Sequence, residues 1–263
     1  MNSLSEIIKK LELHPDVDAV FLTGSHGTKT PKPYSDIDLV IILKENKNSL
    51  HSLYRWIDGV FADIFFFDEA DLKRISSTEN IDWNSPDGYL VGWIQKADIY
   101  FDHSGIITSL KKKVIFLQQT EVTKKDKQSY WQKINYNFVA NKRYYESNDP
   151  LYHEALELRL LYSIIELICG YLALRNIPWR GEKSAIIYLK EQAPLIYSIF
   201  KKYTNTVSIE GRFKLYSDMV STVFTDEYKQ WTQSDQIVIK KDYSIADSED
   251  GAVSYSHSLF LQS

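Results

Sequence analysis

Cysteine is nearly missing. The 263 residues hold one, Cys169, which excludes an internal disulfide framework and any zinc site built from a cysteine cluster. Glycine and proline are sparse, at 10 and 7 residues, too few for a collagen-like repeat or a flexible-linker protein. No apolar run approaches the ~20 residues that a membrane-spanning helix needs. Residues 1–12 carry no apolar signal-peptide stretch, so a cytoplasmic setting with no membrane contact is the expectation. An excess of positive charge is lacking too. The 31 Lys and Arg stand against 35 Asp and Glu, a net −4, which argues against a dedicated nucleic-acid binder. What is present is 44% hydrophobic and 25% charged residues, with 18 Tyr, 12 Phe and 6 Trp to fill a core. That is the composition of a globular protein, and the length suits one large domain or two ordinary ones.

The charge is uneven: residues 1–120 carry a net −4, residues 121–225 a net +4 and the remainder a net −4. An acidic part beside a basic part suits a metal–nucleotide site shared between two domains, and ordinary surface variation would produce the same pattern. Apolar periodicity changes at the same place. Residues 3–13 read as a helix stopped by Pro15, and 17–23 as a strand followed by Gly24-Ser25-His26-Gly27. Residues 36–43 read as a second strand, 46–48 as a turn, and 60–67 as a third strand. A short helix is expected over 69–75, a loop over 80–87, a helix over 88–96, a strand over 99–101 and a helix over 106–119. From 124 to 175 the period is helical, broken at Asn148-Asp149-Pro150, and three more helices are expected over 184–191, 195–203 and 210–224. The tail from 232 is polar, with a β-like run at 237–239 and a loosely held Ser/Asp-rich stretch over 244–258. There are no internal repeats. Mixed α/β followed by all-α predicts an α+β protein of two domains, 1–120 and 121–231, with a tail over 232–263 and the active site between the domains.

One constellation carries chemistry. Gly24-Ser25 is followed after ten residues by Asp36-Ile37-Asp38, and Asp63 lies in a later strand. Side chains two apart on a strand share a face, so Asp36 and Asp38 point the same way. Asp63 sits on a strand that can pair beside theirs. Clustered carboxylates are costly unless a cation neutralises them, and an all-oxygen donor set suits Mg²⁺ or Mn²⁺ rather than zinc. A glycine-serine turn after a strand can bring backbone N–H groups and a hydroxyl to phosphate oxygens. These are the parts of a two-metal site for phosphoryl or nucleotidyl transfer.

Over residues 17–70 this pattern resembles the nucleotidyltransferase superfamily that includes DNA polymerase beta. The resemblance implies that Gly24 and Ser25 bind the triphosphate of ATP or another NTP. It also implies that Asp36 and Asp38 hold two Mg²⁺ or Mn²⁺ ions, that Asp63 completes the metal site nearer the acceptor hydroxyl, and that Ser35 contacts the nucleotide. The common form has a further glycine where this sequence has Lys29, with Gly27 two positions earlier. A reshaped loop with Lys29 near the phosphates is expected.

The helical part is similar to the C-terminal domains of bacterial aminoglycoside and lincosamide nucleotidyltransferases. The residues that carry this are Trp131, Lys142-Arg143, the leucine-rich run 156–174 and Trp179-Arg180-Gly181-Glu182-Lys183. The resemblance implies that Lys183 reaches the triphosphate, with Arg180 a second choice. A lysine opening a helix is disfavoured by the macrodipole, which favours a functional reason for it. The general base is left open between Asp63 and a glutamate of the helical part, Glu154, Glu157 or Glu166. Tyr144, Tyr145, Tyr152 and Trp179 are candidates for stacking on a substrate ring, or for the core. His26 follows the Gly-Ser turn and is a candidate phosphate contact. His103 reads as a loop residue, and Cys169 as buried and inert.

The function that follows is transfer of an NMP, AMP from ATP first, to a hydroxyl of a small-molecule acceptor, with release of pyrophosphate. An aminoglycoside or lincosamide is the acceptor the resemblance suggests. The alternative is a protein-modifying (AMPylating) or antitoxin-type nucleotidyltransferase. The ribonuclease signature of the matching toxins, Arg followed within four to six residues by His, does not occur; the nearest pair is Arg143 with His153. A nucleic-acid acceptor would call for a basic stripe, which the modest positive helical segment does not supply.

Overall fold

The computed structural model describes residues 3–82, 85–119, 122–242, 244–246 and 249–260. The chain divides into two compact units, Met1–Thr120 and Glu121–Ser263. The exact junction at 120 and 121 lies outside the described residues.

The first unit opens with α1 (Leu4–Glu12). Ser3 caps it by accepting from Glu6 N while the Glu6 carboxylate accepts from Ser3 N, a capping box that satisfies both orphan donors. β1 (Val17–Leu22) is buried along its whole length, and a four-residue helical turn, α2 (Gly24–Gly27), follows it. β2 (Ile37–Leu43), β3 (Ser52–Ile57) and β4 (Val60–Asp68) come next. Then follow α3 (Glu69–Ser76), β5 (Asn80–Ile81), α4 (Pro86–Gln95), β6 (Asp98–Asp102) and α5 (Ile106–Lys113). A 3-10 turn (Val114–Phe116) and β7 (Gln118–Gln119) close the unit.

The main sheet has the order β3-β4-β2-β1-β6. β2 and β4 run parallel, and the other pairs are antiparallel. One face packs Ile8 of α1 against Val20, Leu39, Ile41 and Ile64. The other packs Phe21, Val40, Ile42 and Phe67 against α3, α4 and α5 through Leu72, Ile75, Leu90, Ile94 and Ile107. β2 and β1 are therefore apolar on both faces, as interior strands must be.

Three expectations for this unit need correction. No strand was expected between the turn at 46–48 and residue 60, yet β3 lies there as the hairpin partner of β4. The two-residue loop Asp58-Gly59, with φ of 51° and 80°, is a tight turn whose twist matches the strands. The helix expected over 106–119 ends at Lys113. Three lysines in its last turn suit the negative helix end, and Gln118–Gln119 then pair with Asn80–Ile81. The expected loop over 80–87 therefore begins as a strand and ends inside α4, which Ser85 caps through Gly88 N; residues 83 and 84 lie outside the described residues.

The second unit is helical: α6 (Lys124–Tyr145), α7 (Pro150–Ala173), α8 (Glu182–Gln192), α9 (Pro194–Asn205), α10 (Ile209–Val223) and α11 (Gly251–Phe260). Its core joins Ile134, Leu156, Leu160, Leu167, Leu189, Tyr216 and Met219. α6 and α7 approach closely at Gly170, where a Cβ would lie 2.4 Å from Ile134 Cδ1. A polar seam runs between them. Arg159 donates to Asn141 Oδ1 (2.6 Å) and Asn137 Oδ1 (2.9 Å), Asn141 donates to Ser163 Oγ (3.0 Å), and Asn137 donates to Glu166. The β-like run at 237–239 shrinks to a single bridge, Ile239 with Ile245. Where a loose polar stretch was expected, α11 forms after Asp250, which accepts from Ala252 N and pairs with Lys240 at 2.9 Å. Among the described residues no helix is long and apolar enough to cross a membrane.

Candidate active site

The site is built at one end of the main sheet, on the face that α3, α4 and α5 cover further along. β2 and β4 are parallel and in register, with Asp38 directly opposite Asp63. Asp36 precedes β2 by one residue. One carboxylate oxygen of each of Asp36, Asp38 and Asp63 lies within 4.8 Å of the others, and all three side chains are half-buried. Burial, and then the neighbouring Asp36 charge, hold the Asp63 carboxyl above the usual carboxylate range.

The turn after β1 closes over this cluster. Thr23 N donates to Asp38 O at 3.0 Å, which ties the end of β1 to β2, and the Thr23 hydroxyl reaches Trp93 O at 3.4 Å. Gly24 follows with φ +59°, and a Cβ there would lie 2.0 Å from Asp38 Oδ2. Glycine is thus needed both for the left-handed backbone and for the close approach to the carboxylate. Gly27 is needed for space alone: a Cβ would meet Leu22 O and Lys96 O, each at 2.7 Å. The spacing of the motif pointed to Gly24 and Ser25; the roles of Thr23 and Gly27 emerge only when β1 and α4 are seen to converge on the turn. Five buried side-chain polar atoms among the described residues lack a hydrogen-bond partner, and two of them, Ser25 Oγ and Asp63 Oδ1, belong to this turn and cluster. Such atoms are rare in a finished interior and are expected where a ligand or ion supplies the partner. Three clustered carboxylates and an orphaned oxygen fit a hard divalent cation.

Lys29 lies in the turn after α2. It adopts φ 57°, a left-handed backbone that lysine seldom takes. Its ammonium lies 3.7 Å from Asp98 Oδ1, and both side chains are well exposed. Ser35 caps the preceding turn, its hydroxyl accepting from Lys32 N at 2.9 Å. His26 is half-buried in α2. His103 is exposed, its Nε2 3.2 Å from Glu12 O.

The remaining candidates belong to the helical unit. Lys183 is exposed in the first turn of α8, after Gly181 with φ 82°, and Arg180 is exposed just before it. Glu154 and Glu157 are exposed on α7, whereas Glu166 is half-buried and held by Asn137. Tyr145 stacks on Phe213 at 4.2 Å, and Tyr144 packs edge-on to Tyr152 at 4.8 Å. Trp179 packs against the helical core. Trp131 donates to Lys229 O at 2.5 Å and meets Trp231 edge-on, which docks residues 228–231 onto α6. Cys169 is half-buried, its thiol pushed up by burial.

Residues 1–117 match the family model of the nucleotidyltransferase domain. The first unit is a nucleotidyltransferase domain, and the enzyme class expected from the Gly-Ser and Asp-x-Asp motifs stands. A search of curated proteins found no match. Among solved structures, a nucleotidyltransferase-like protein from Exiguobacterium sibiricum 255-15 is similar over 84% of this chain and 73% of its own, with 12% identity and a TM-score of 0.44. A likeness that loose carries no argument about function.

Proposed function

We propose that the protein transfers AMP from ATP to a hydroxyl of a small molecule, of the aminoglycoside or lincosamide kind, and releases pyrophosphate. The observation that carries this reading is the convergence of Asp36, Asp38 and Asp63 within 4.8 Å, beside a turn that only glycine can form at Gly24. Asp36, Asp38 and Asp63 would hold divalent Mg²⁺ or Mn²⁺, which when bound supplies charge neutralisation at the phosphates and a lowered pKa for the attacking hydroxyl. Ser25, whose buried Oγ has no hydrogen-bond partner among the described residues, would donate to a phosphate oxygen. Ser35 and Lys183 are the further nucleotide contacts of this reading. The acceptor oxygen forms a bond to the α-phosphorus, and the bond from that phosphorus to the bridging oxygen breaks. Pyrophosphate leaves with the electron pair, and the Asp63 carboxylate takes the hydroxyl proton.

The test is thermal melting with and without Mg²⁺ and ATP, paired with a pyrophosphate-release screen of ATP, GTP, CTP and UTP against aminoglycosides and lincosamides. The wild type is expected to gain stability from Mg²⁺ and ATP together. Asp38→Asn is expected to lose that gain and to lower transfer by more than about a hundredfold, because even outer partners of metal ligands are worth 10–100-fold. An active Asp38→Asn variant, with no nucleotide-dependent shift in the wild type, would sink the proposal.

A further inference from the structure

The carboxylates have an uncovered neighbour. β4 pairs with β2 on one side and with the edge strand β3 on the other, so Asp38, Asp63 and Tyr54 form one row across the sheet. Two residues along, and on the same face by the strand period, Trp56 stands opposite Phe61. The three rings touch: Tyr54 and Phe61 lie parallel with centroids 6.2 Å apart, and Trp56 meets Phe61 edge-on at 5.3 Å. Cross-strand packing explains why they touch one another. It does not explain why Tyr54, Phe61 and Trp56 are left 60%, 40% and 63% exposed beside a carboxylate cluster.

The order of the sheet says which substrate this platform faces. The Gly24-Ser25 turn leaves β1 and presses on Asp38, so the phosphate side of the site lies on the β1 side of the carboxylates. Tyr54 and Trp56 lie on the opposite, β3 side, one strand spacing (about 4.8 Å) beyond β4, and Phe61 lies on β4 itself, two residues before Asp63. A group resting on them has its edge at Asp63, the residue that takes the acceptor's proton, and has the phosphate turn beyond the carboxylates. We infer that Tyr54, Phe61 and Trp56 form the acceptor platform, and that the acceptor is a hydroxylated ring compound. Its flat or C–H face packs on the rings while a ring hydroxyl points to Asp63. Aromatic side chains favour such a partner because ring faces offer large contact area and a negative quadrupole to C–H edges. This inference rests on the nucleotidyl-transfer reading of the same site.

The test uses the full chain with Mg²⁺ and ATP, and offers kanamycin and lincomycin as saturated-ring acceptors, tyramine as an aromatic one and sorbitol as an open-chain polyol. Transfer to the antibiotics identifies a saturated ring face, and transfer to tyramine an aromatic one; either supports the platform. Trp56→Ala is expected to raise the acceptor KM roughly tenfold with the ATP KM unchanged. Trp56→Phe should restore most of the loss, and melting should show that both variants fold. Sorbitol used as readily as the rings, no transfer to either ring class, or an acceptor KM indifferent to Trp56→Ala would overturn the platform. A wild type with no stabilisation by Mg²⁺ and ATP would instead remove the transfer reading itself, so the two failures are told apart.

Discussion

Gly24 is specified twice, by a φ of +59° and by the 2.0 Å that would separate a Cβ from Asp38 Oδ2. Gly24→Ala is expected to cost about 1 kcal/mol or more from the backbone alone and to push the Asp38 carboxylate out of its cluster. A lower melting temperature together with loss of the Mg²⁺- and ATP-dependent shift is the expected readout; a variant keeping the full shift would show that Asp38 tolerates a methyl neighbour. Asp63 offers a second check at this scale. Burial and Asp36 raise its pKa, so the folded state holds the proton more tightly than the unfolded chain does. Stability without metal therefore falls as pH rises from the unfolded value through the folded one, and at neutral pH the ionised form is the destabilising one. Asp63→Asn should then melt higher than wild type in EDTA at pH 7 and lose that part of the pH dependence, while transfer is abolished. An unchanged or lower melting point in EDTA would show that the carboxylates do not strain one another. The acidic triad and the glycine-serine turn were readable from spacing because period-two geometry and a short loop are local. The left-handed Lys29 was not readable, since lysine, unlike glycine, asparagine or aspartate, does not announce a positive φ.

Elements show the same division. The hairpin of β3 and β4 carries its own signal, Asp58-Gly59 between alternating residues, and was missed because the exposed Tyr54 and Trp56 blur the inside-outside pattern. In the helical unit, the apolar period located α6 and α7 but not the polar seam between them. Asn141 is completely buried, donates to Ser163 and accepts from Arg159. Asn141→Ala leaves the guanidinium and the hydroxyl short of a partner, so a loss of roughly 1–3 kcal/mol is expected. It would be read as a lower urea midpoint at unchanged slope. A midpoint equal to that of the wild type would mean that water satisfies the seam.

For the molecule as a whole, the sharpest prediction concerns the helical unit. Lys183 stands exposed in the first turn of α8, where the helix dipole disfavours a cation. If it binds the triphosphate, Lys183→Ala should raise the ATP KM by about ten- to a hundredfold, the worth of a charge-assisted contact, with the acceptor KM little changed. Should the energy be realised only in the transition state, kcat falls instead. Steady-state constants for ATP that do not move would leave Ser25 and the metal ions that the carboxylates would hold as the phosphate contacts.

The sequence by itself determined what is local. The switch from strand to helix period near residue 120, the two-residue spacing of Asp36 and Asp38 at the start of β2, and the glycine-serine turn ten residues before them are all set by neighbours along the chain. The tertiary structure alone decided what is not local. Parallel pairing of β2 with β4 puts Asp63 opposite Asp38, and antiparallel pairing of β3 with β4 puts Tyr54 beside Asp63. Register between strands far apart in the chain is chosen by the packing of whole faces, where a slip of one residue would turn every side chain over.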